Sequence, residues 1–232
     1  DIFGIRSAKA AAQEIRRGLK AELPQRAMLE KYKHKAEWFL NKEGINSIHG
    51  VDHMARVLVL QELLSAMLAI KGVQIDREAL RLAAVLHDVR RDDDGVDSDH
   101  GKRAAQFNHT TAPFNTNPST AHIAEYLMEW HVPDDSESPE MTPELAIFKD
   151  ADGLDRWRLG QTPLYLRYRD SQDVLFRLSQ GLYHLSREHA NKIAVQHNKT
   201  IYDLDVDELF DSVMEAATEL GVIETSDVHE SQ

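Results

Sequence analysis

No cysteine occurs among the 232 residues, so disulfides and thiolate zinc knuckles are excluded, which agrees with a reducing cytoplasm. The chain also lacks an excess of positive charge. Its formal net charge is −12 and its isoelectric point about 5.4, which argues against an extensive nucleic-acid-binding surface. No apolar run approaches membrane-spanning length, so no membrane partner is expected. No β-branched alternation is long enough for a sheet, and no internal repeat is visible. The chain starts at Asp1 rather than Met. An upstream targeting segment therefore stays open, and without one the expected location is cytoplasmic.

What is present reads as helix almost throughout, and the fold class expected is all-α. A 42% hydrophobic fraction is enough for a core at this length. Met28, Leu29, Tyr32, Ala36, Phe39 and Leu40 recur at helical spacing between Gln25 and Glu43, with Gly44 as a stop. Positions 51–71 form the clearest helix, with His53, Val57, Leu60, Leu64 and Leu68 on one face. Asp76 is an N-cap for the next helix, which carries Leu80, Ala84 and His87 inward. Residues 90–118 are rich in Asp, Asn, Thr and Gly and read as a loop interrupted by a short helix near 99–107, either a lid or a plain connection. Helices resume at 119–131, 142–158 and 171–197, and a last one near 205–220 starts at Asp203 or Asp205. Residues 1–44 are taken as a helical extension, separate from or part of the domain spanning 45–232.

The chemistry gathers at three places. The apolar run ALRLAAVLHDV closes on the adjacent pair His87-Asp88, a borderline nitrogen ligand beside a hard oxygen ligand. HGVDHMARV places His49 and His53 four residues apart, and FKDADGLDRWRL carries Asp150, Asp152 and Asp155. A lone buried His-Asp pair is ordinarily structural. The ordered set is more specific: His53 in HxxRV, then His87-Asp88, then Asp152 in DADGLD.

In that order these motifs resemble the HD-domain superfamily of metal-dependent phosphohydrolases, over roughly positions 45–160. The resemblance implies an HD-domain-like helical bundle in which His53, His87, Asp88 and Asp152 ligate a divalent ion, one of Mn, Fe, Zn, Ni, Co or Mg. Some relatives hold a second ion with two more histidines, and here His100 and His131 fit that context. His109 and His122 read as ordinary helix-end residues. The expected activity is hydrolysis of a phosphate ester, a nucleotide or related small molecule, by metal-activated water, with Asp88 setting the charge at the centre. No GYP-containing motif follows the HD pair, which disfavours the cyclic-di-GMP subgroup. Two other readings stay open: a mixed-valent di-iron oxygenase of the same fold, and a non-catalytic helical binding module.

Around these ligands the sequence offers helpers with two readings each. His49 either orients phosphate and relays a proton or is a loop histidine. Arg56 either neutralises phosphate or pairs with a carboxylate. Asp155 either steadies a ligand or contacts substrate, or else is an exposed helix carboxylate. Asp150 is expected to point away. Arg90, Arg91, Lys149, Arg156 and Arg158 are further candidate cations, with at most one of the last two reaching the site. The stretch around Tyr165, Arg167, Tyr168 and Arg169 is where specificity determinants are sought, against packing as the simpler role for its tyrosines. His184, His189 and His197 read as surface. The partner expected is a small phosphorylated substrate, with homo-oligomerisation left open.

Overall fold

The computed structural model describes residues 4–19 and 23–225. Among them the regular structure is helical, with one isolated parallel bridge joining Gln25 to Glu224. The α-helices run α1 (Ile5–Leu19), α2 (Arg26–Leu29), α3 (Val51–Ile70), α4 (Arg77–Leu86), α5 (His100–Thr111), α6 (Pro118–Trp130), α7 (Pro143–Leu154), α8 (Gln172–Gln196) and α9 (Val206–Leu220), with short 3-10 turns between several of them.

Helix α3 is the axis of the molecule. It packs against α4, α7, α9, α1 and α8, and every residue from Val51 to Ala66 is buried. Its length and apolar character match those of a bilayer-crossing helix, which corrects the reading that nothing here approaches such a length. Of its most apolar 18-residue stretch 83% is buried, as in the core helix of a globular bundle. Sequence patterning undercounted it because Asp52, His53, Arg56, Gln61 and Glu62 interrupt the apolar residues, yet all five side chains are enclosed too.

The helix starts follow local chemistry. Asp76 caps α4 by accepting from Ala79 N at 3.0 Å, Asn117 caps α6 ahead of Pro118, and Thr142 caps α7 ahead of Pro143. Asp205 caps α9 in a reciprocal box with Glu208, whereas Asp203 closes a separate box with Thr200. Helix α1 enters the core through Ala8, Ala11, Ala12, Ile15 and Leu19 and lies on α8 and α9. A side chain at Gly181 would meet Ala8 Cβ at 2.2 Å, so that glycine sets how closely α8 approaches α1.

Two regions depart from expectation. The helix expected over 25–43 is instead one short helical turn followed by 3-10 turns at Glu30–Tyr32, Ala36–Trp38 and Lys42–Asn46. The backbone there is extended at Lys35, Phe39 and Asn41. Tertiary bonds compete with the helical ladder: Leu40 N donates to Val89 O, and the Asn41 amide donates to Asp92 O. The segment thus wraps around the end of α4 and buries Trp38 and Phe39 on it. The short helix expected near 99–107 begins at His100 but continues to Thr111, where Ala112 ends it in a left-handed conformation.

Candidate metal centre

Six side chains from five segments meet at one end of α3. His53 sits in its first turn, and His87 and Asp88 follow directly on α4. His100 opens α5, His131 closes α6, and Asp152 lies in the last turn of α7. The contact of α5 with α6 depends on Gly101, where a Cβ would fall 2.2 Å from Met128 O and 3.1 Å from the His131 ring. Without that close approach the two histidines could not converge.

The imidazole orientations follow one rule. His87 Nδ1–H donates to the Ala83 and Ala84 carbonyls at 3.2 and 3.1 Å, His131 Nδ1–H to Met128 O at 2.6 Å, and His100 Nδ1–H to Asp97 O. A carbonyl only accepts, so these rings carry their proton on Nδ1 and turn an Nε2 lone pair inward. His53 Nδ1 faces the Asp155 carboxylate at 2.8 Å, again leaving Nε2 for the interior. The inward nitrogens crowd together: His53 and His87 Nε2 are 3.3 Å apart, and His100 and His131 Nε2 are 3.1 Å apart.

Asp88 lies between these two histidine pairs. Its Oδ2 is 3.5 Å from His53 Nε2, 3.4 Å from His87 Nε2 and 3.2 Å from His49 Nδ1, while Oδ1 is 3.1 Å from His100 Nε2. Oδ1 is nonetheless buried without a properly aligned hydrogen bond. Asp152 Oδ1 is 3.3 Å from His53 Nε2. A buried acceptor without a donor, ringed by nitrogen lone pairs, is what a cation would relieve, and the donor set is that of a divalent-ion site. Three combinations lie close enough to share an ion: His49, His53 and Asp88; His53, His87 and Asp152; and His87, Asp88 and His131.

Electrostatics point the same way. Burial and then Arg158 push the His53 imidazolium down, but Asp152, Asp155 and Asp88 outweigh them and hold its pKa up at about 9. Burial, aided by the neighbouring imidazoles, drives His131 to about 3; burial against the opposing pull of Asp88 leaves His87 at about 4. For Asp88 burial acts upward, yet the surrounding histidines, His87 first, keep it far below the usual carboxylate range. Asp152 is likewise depressed, because bonding to His53 and the charge of Arg158 overcome its burial.

Arg56 and Asp155 take supporting positions, which corrects their placement among the groups that touch substrate. Arg56 is 1% exposed, and its Nε and Nη2 fork onto Asp155 at 2.6 and 3.0 Å. Its Nη1 reaches Asp52 at 2.9 Å and Ser186 at 3.2 Å, and the guanidinium stacks 5.2 Å from the Tyr183 ring. Four of its five N–H donors are thus engaged within the protein, in a side chain enclosed away from solvent. Asp155, fully buried rather than exposed, holds the His53 ring in place. Such an outer carboxylate fixes a ligand's tautomer and raises its basicity.

His49 lies in the turn before α3 at the mouth of the site, and Asp150 does point away, accepting from Arg167 N and Tyr168 N. Of the candidate cations, Arg91 meets His100 at 3.1 Å and Asp88 at 3.7 Å, and Arg158 meets Asp152 at 3.7 Å. Arg90 is turned to Trp38 O and Phe107, and Lys149 to Pro133 O and Asp135. His109 and His122 are exposed and remote from the cluster, flanking Glu125. His189 pairs with Glu219 and His197 with Glu208.

Sequence reasoning missed Gly101, although the HG pair in DHGKRAA carries its signal, and it missed His34. His34 is 3% exposed between Phe39 and Phe210, and burial first, then His87 and His53, press its pKa to about 3. Its setting in KYKHKAEW reads as a solvated charge run, so nothing there signals an enclosed imidazole.

No curated protein and no solved structure matches the chain. The family model described as HD domain does match, over residues 50–157, a span that holds all six converging side chains. That segment is similar to the HD domain, which is consistent with the HD-domain superfamily.

Proposed function

We propose that this protein is a metal-dependent phosphohydrolase acting on a small phosphate ester, with His53, His87, Asp88, His100, His131 and Asp152 as ligands of one or two divalent ions. One observation carries the reading. Four imidazoles turn Nε2 toward two carboxylates, with the other nitrogen of each ring pinned to a carbonyl or to Asp155. His87, His100 and His131 turn Nε2 lone pairs rather than protons inward, and the set combines the nitrogen and oxygen donors that a divalent ion takes.

A divalent ion bound there supplies Lewis acidity, polarising a phosphoryl oxygen and acidifying water. The protein supplies the rest. Asp88 joins the two histidine pairs through its separate oxygens, so it fixes their spacing. Arg158 offsets the charge of Asp152, and Phe148 closes the floor against His87 and His131. Burial, partly countered by Asp88, lowers the pKa of His49, leaving its imidazole neutral near pH 7. A neutral imidazole at the mouth can take a proton from the attacking water and return it to the departing alkoxide as the P–O bond breaks.

The test is hydrolysis of a panel of phosphate esters by protein loaded separately with Mn, Mg, Zn, Co and Fe. Wild type should exceed Asp88→Ala by on the order of a hundredfold or more, the scale of losing a metal-activated nucleophile. Equal rates for both proteins on every ester and metal would overturn the hydrolase reading.

A further inference from the structure

Two openings flank the metal centre, and they differ in charge. A cavity of about 220 Å³ reaches Asp88 and His49, and its walls include Glu43, Asp92, Asp93 and Asp94. Its one arginine, Arg91, is already tied to Asp93 O and Gly95 O. The other opening is a groove of about 590 Å³ that reaches His131 and Asp152 and is bordered by Gly153, Arg156, Leu164 and Tyr165. The first opening therefore disfavours anions, whereas the second also offers exposed apolar surface that an uncharged organic group can contact.

The far wall of that groove is unusual. Leu164 and Tyr165 are adjacent and 63% and 70% exposed, and the backbone immediately after them is anchored. Leu166 next to them is 2% exposed and donates its N–H to Gln172, while Arg167 and Tyr168 donate theirs to the buried Asp150 carboxylate. Arg169 backs the Tyr165 ring at 5.4 Å. Tyr168 packs against the core and Tyr165 does not. Scattered exposed apolar residues need no explanation, but an adjacent pair on an anchored ledge beside a polar centre marks a contact surface.

Charge narrows the ligand further. Lys149 is paired with Asp135, and Arg167 with Asp135 and Asp150. Arg156 meets the neutral Gln161 amide and, among the described residues bordering the groove, is the cation with no carboxylate partner. Asp134 adds a negative charge to the rim. The groove can therefore balance little negative charge beyond the phosphate held at the centre.

Building on the phosphohydrolase reading, we infer that the groove binds the organic part of the substrate, with Tyr165 and Leu164 as its specificity surface. The substrate class is a phosphomonoester whose alcohol carries a planar aromatic ring, as a nucleoside 5′-monophosphate does, and not a di- or triphosphate. The ring stacks on Tyr165, and Arg156 faces polar atoms between ring and phosphate.

The experiment compares adenosine 5′-monophosphate, adenosine 5′-triphosphate and ribose 5-phosphate on metal-loaded wild type, Tyr165→Ala and Tyr165→Phe. Wild type should prefer adenosine 5′-monophosphate over ribose 5-phosphate about tenfold in kcat/KM, the scale of one base stacked on one aromatic ring. In Tyr165→Ala that ratio should fall toward one through KM, with metal content unchanged, and Tyr165→Phe should restore it. An unchanged ratio in Tyr165→Ala, or a preference for the triphosphate, overturns the inference while leaving the hydrolase reading intact. Should no ester be hydrolysed, that reading falls, and equilibrium dialysis of adenosine 5′-monophosphate decides the groove separately. Binding weakened about tenfold by Tyr165→Ala supports it, and equal or absent binding overturns it.

Discussion

Helix α3 carries a buried acid and faces another, and the two are satisfied in opposite ways. Glu62 is fully enclosed and meets cations on both oxygens: Arg81 at 2.6 and 3.1 Å and Arg77 at 2.8 Å, with Gln61 donating as well. Asp88 is 5% exposed, but its near neighbours are imidazoles, and one of its oxygens has no aligned donor. A buried ion pair with guanidinium forks is self-sufficient. Asp88 has no such fork, and three of the rings around the centre turn lone pairs inward, so its oxygens stay open to a ligand where those of Glu62 are closed.

The widest separation between the two sites should come from paired substitutions. Asp88→Asn should lower phosphate-ester turnover by on the order of a hundredfold with a marked loss of bound metal, while Glu62→Gln keeps both. Glu62→Gln should instead cost about 2 kcal/mol of folding stability, the scale of a hydrogen bond to a charged group. Metal analysis and urea melts of both variants check this, and metal loss in Glu62→Gln would erase the distinction.

A smaller effect is expected one bond out from the centre. Asp155→Asn keeps the shape but removes the charge that Arg56 braces against His53. Metal affinity should drop about 10- to 100-fold, as for other outer partners of ligating histidines. Titration calorimetry with Mn or Zn gives the number.

Proton linkage comes next in size. His53, held near 9, must lose its proton when an ion binds, whereas His87 near 4 and His131 near 3 are already neutral. Affinity should rise about tenfold per pH unit from one displaced proton and level off above about 9. In metal-free protein the sign reverses. The raised pKa of His53 stabilises the fold fully below its ordinary 6.5, and that contribution is lost as pH climbs through about 9. Melting temperature against pH, with and without metal, separates the two slopes.

The mildest change concerns the second histidine pair. His100→Ala or His131→Ala should reduce bound metal toward half in a protein that remains folded, by metal analysis and circular dichroism. Full metal content in both variants would limit the centre to His53, His87, Asp88 and Asp152.

Much of this arrangement was legible in the residues. Asp76, Asn117-Pro118, Thr142-Pro143 and Asp205 announce helix starts, and the helices from α3 onward begin within about a residue or two of their expected positions. The six converging side chains were identifiable because each comes with a local motif. Arg56 was not decidable, since the same HxxRV arginine could face phosphate or carboxylate, and only the positions of Asp155 and Asp52 settle it. Residues 25–46 misled because helical spacing records which side chains are apolar, not that the backbone finds bonds at Val89 and Asp92.

Arg56 has one more consequence. Its guanidinium bonds Ser186 and stacks on Tyr183, both on α8, and Trp157 bonds Ser179 on the same helix. Helix α8 lies wholly beyond the stretch that resembles the family. A piece trimmed to residues 50–157 would retain the six converging side chains but leave that arginine and tryptophan without their neighbours. The span that matches the family model is therefore shorter than the set of residues that packs around the site.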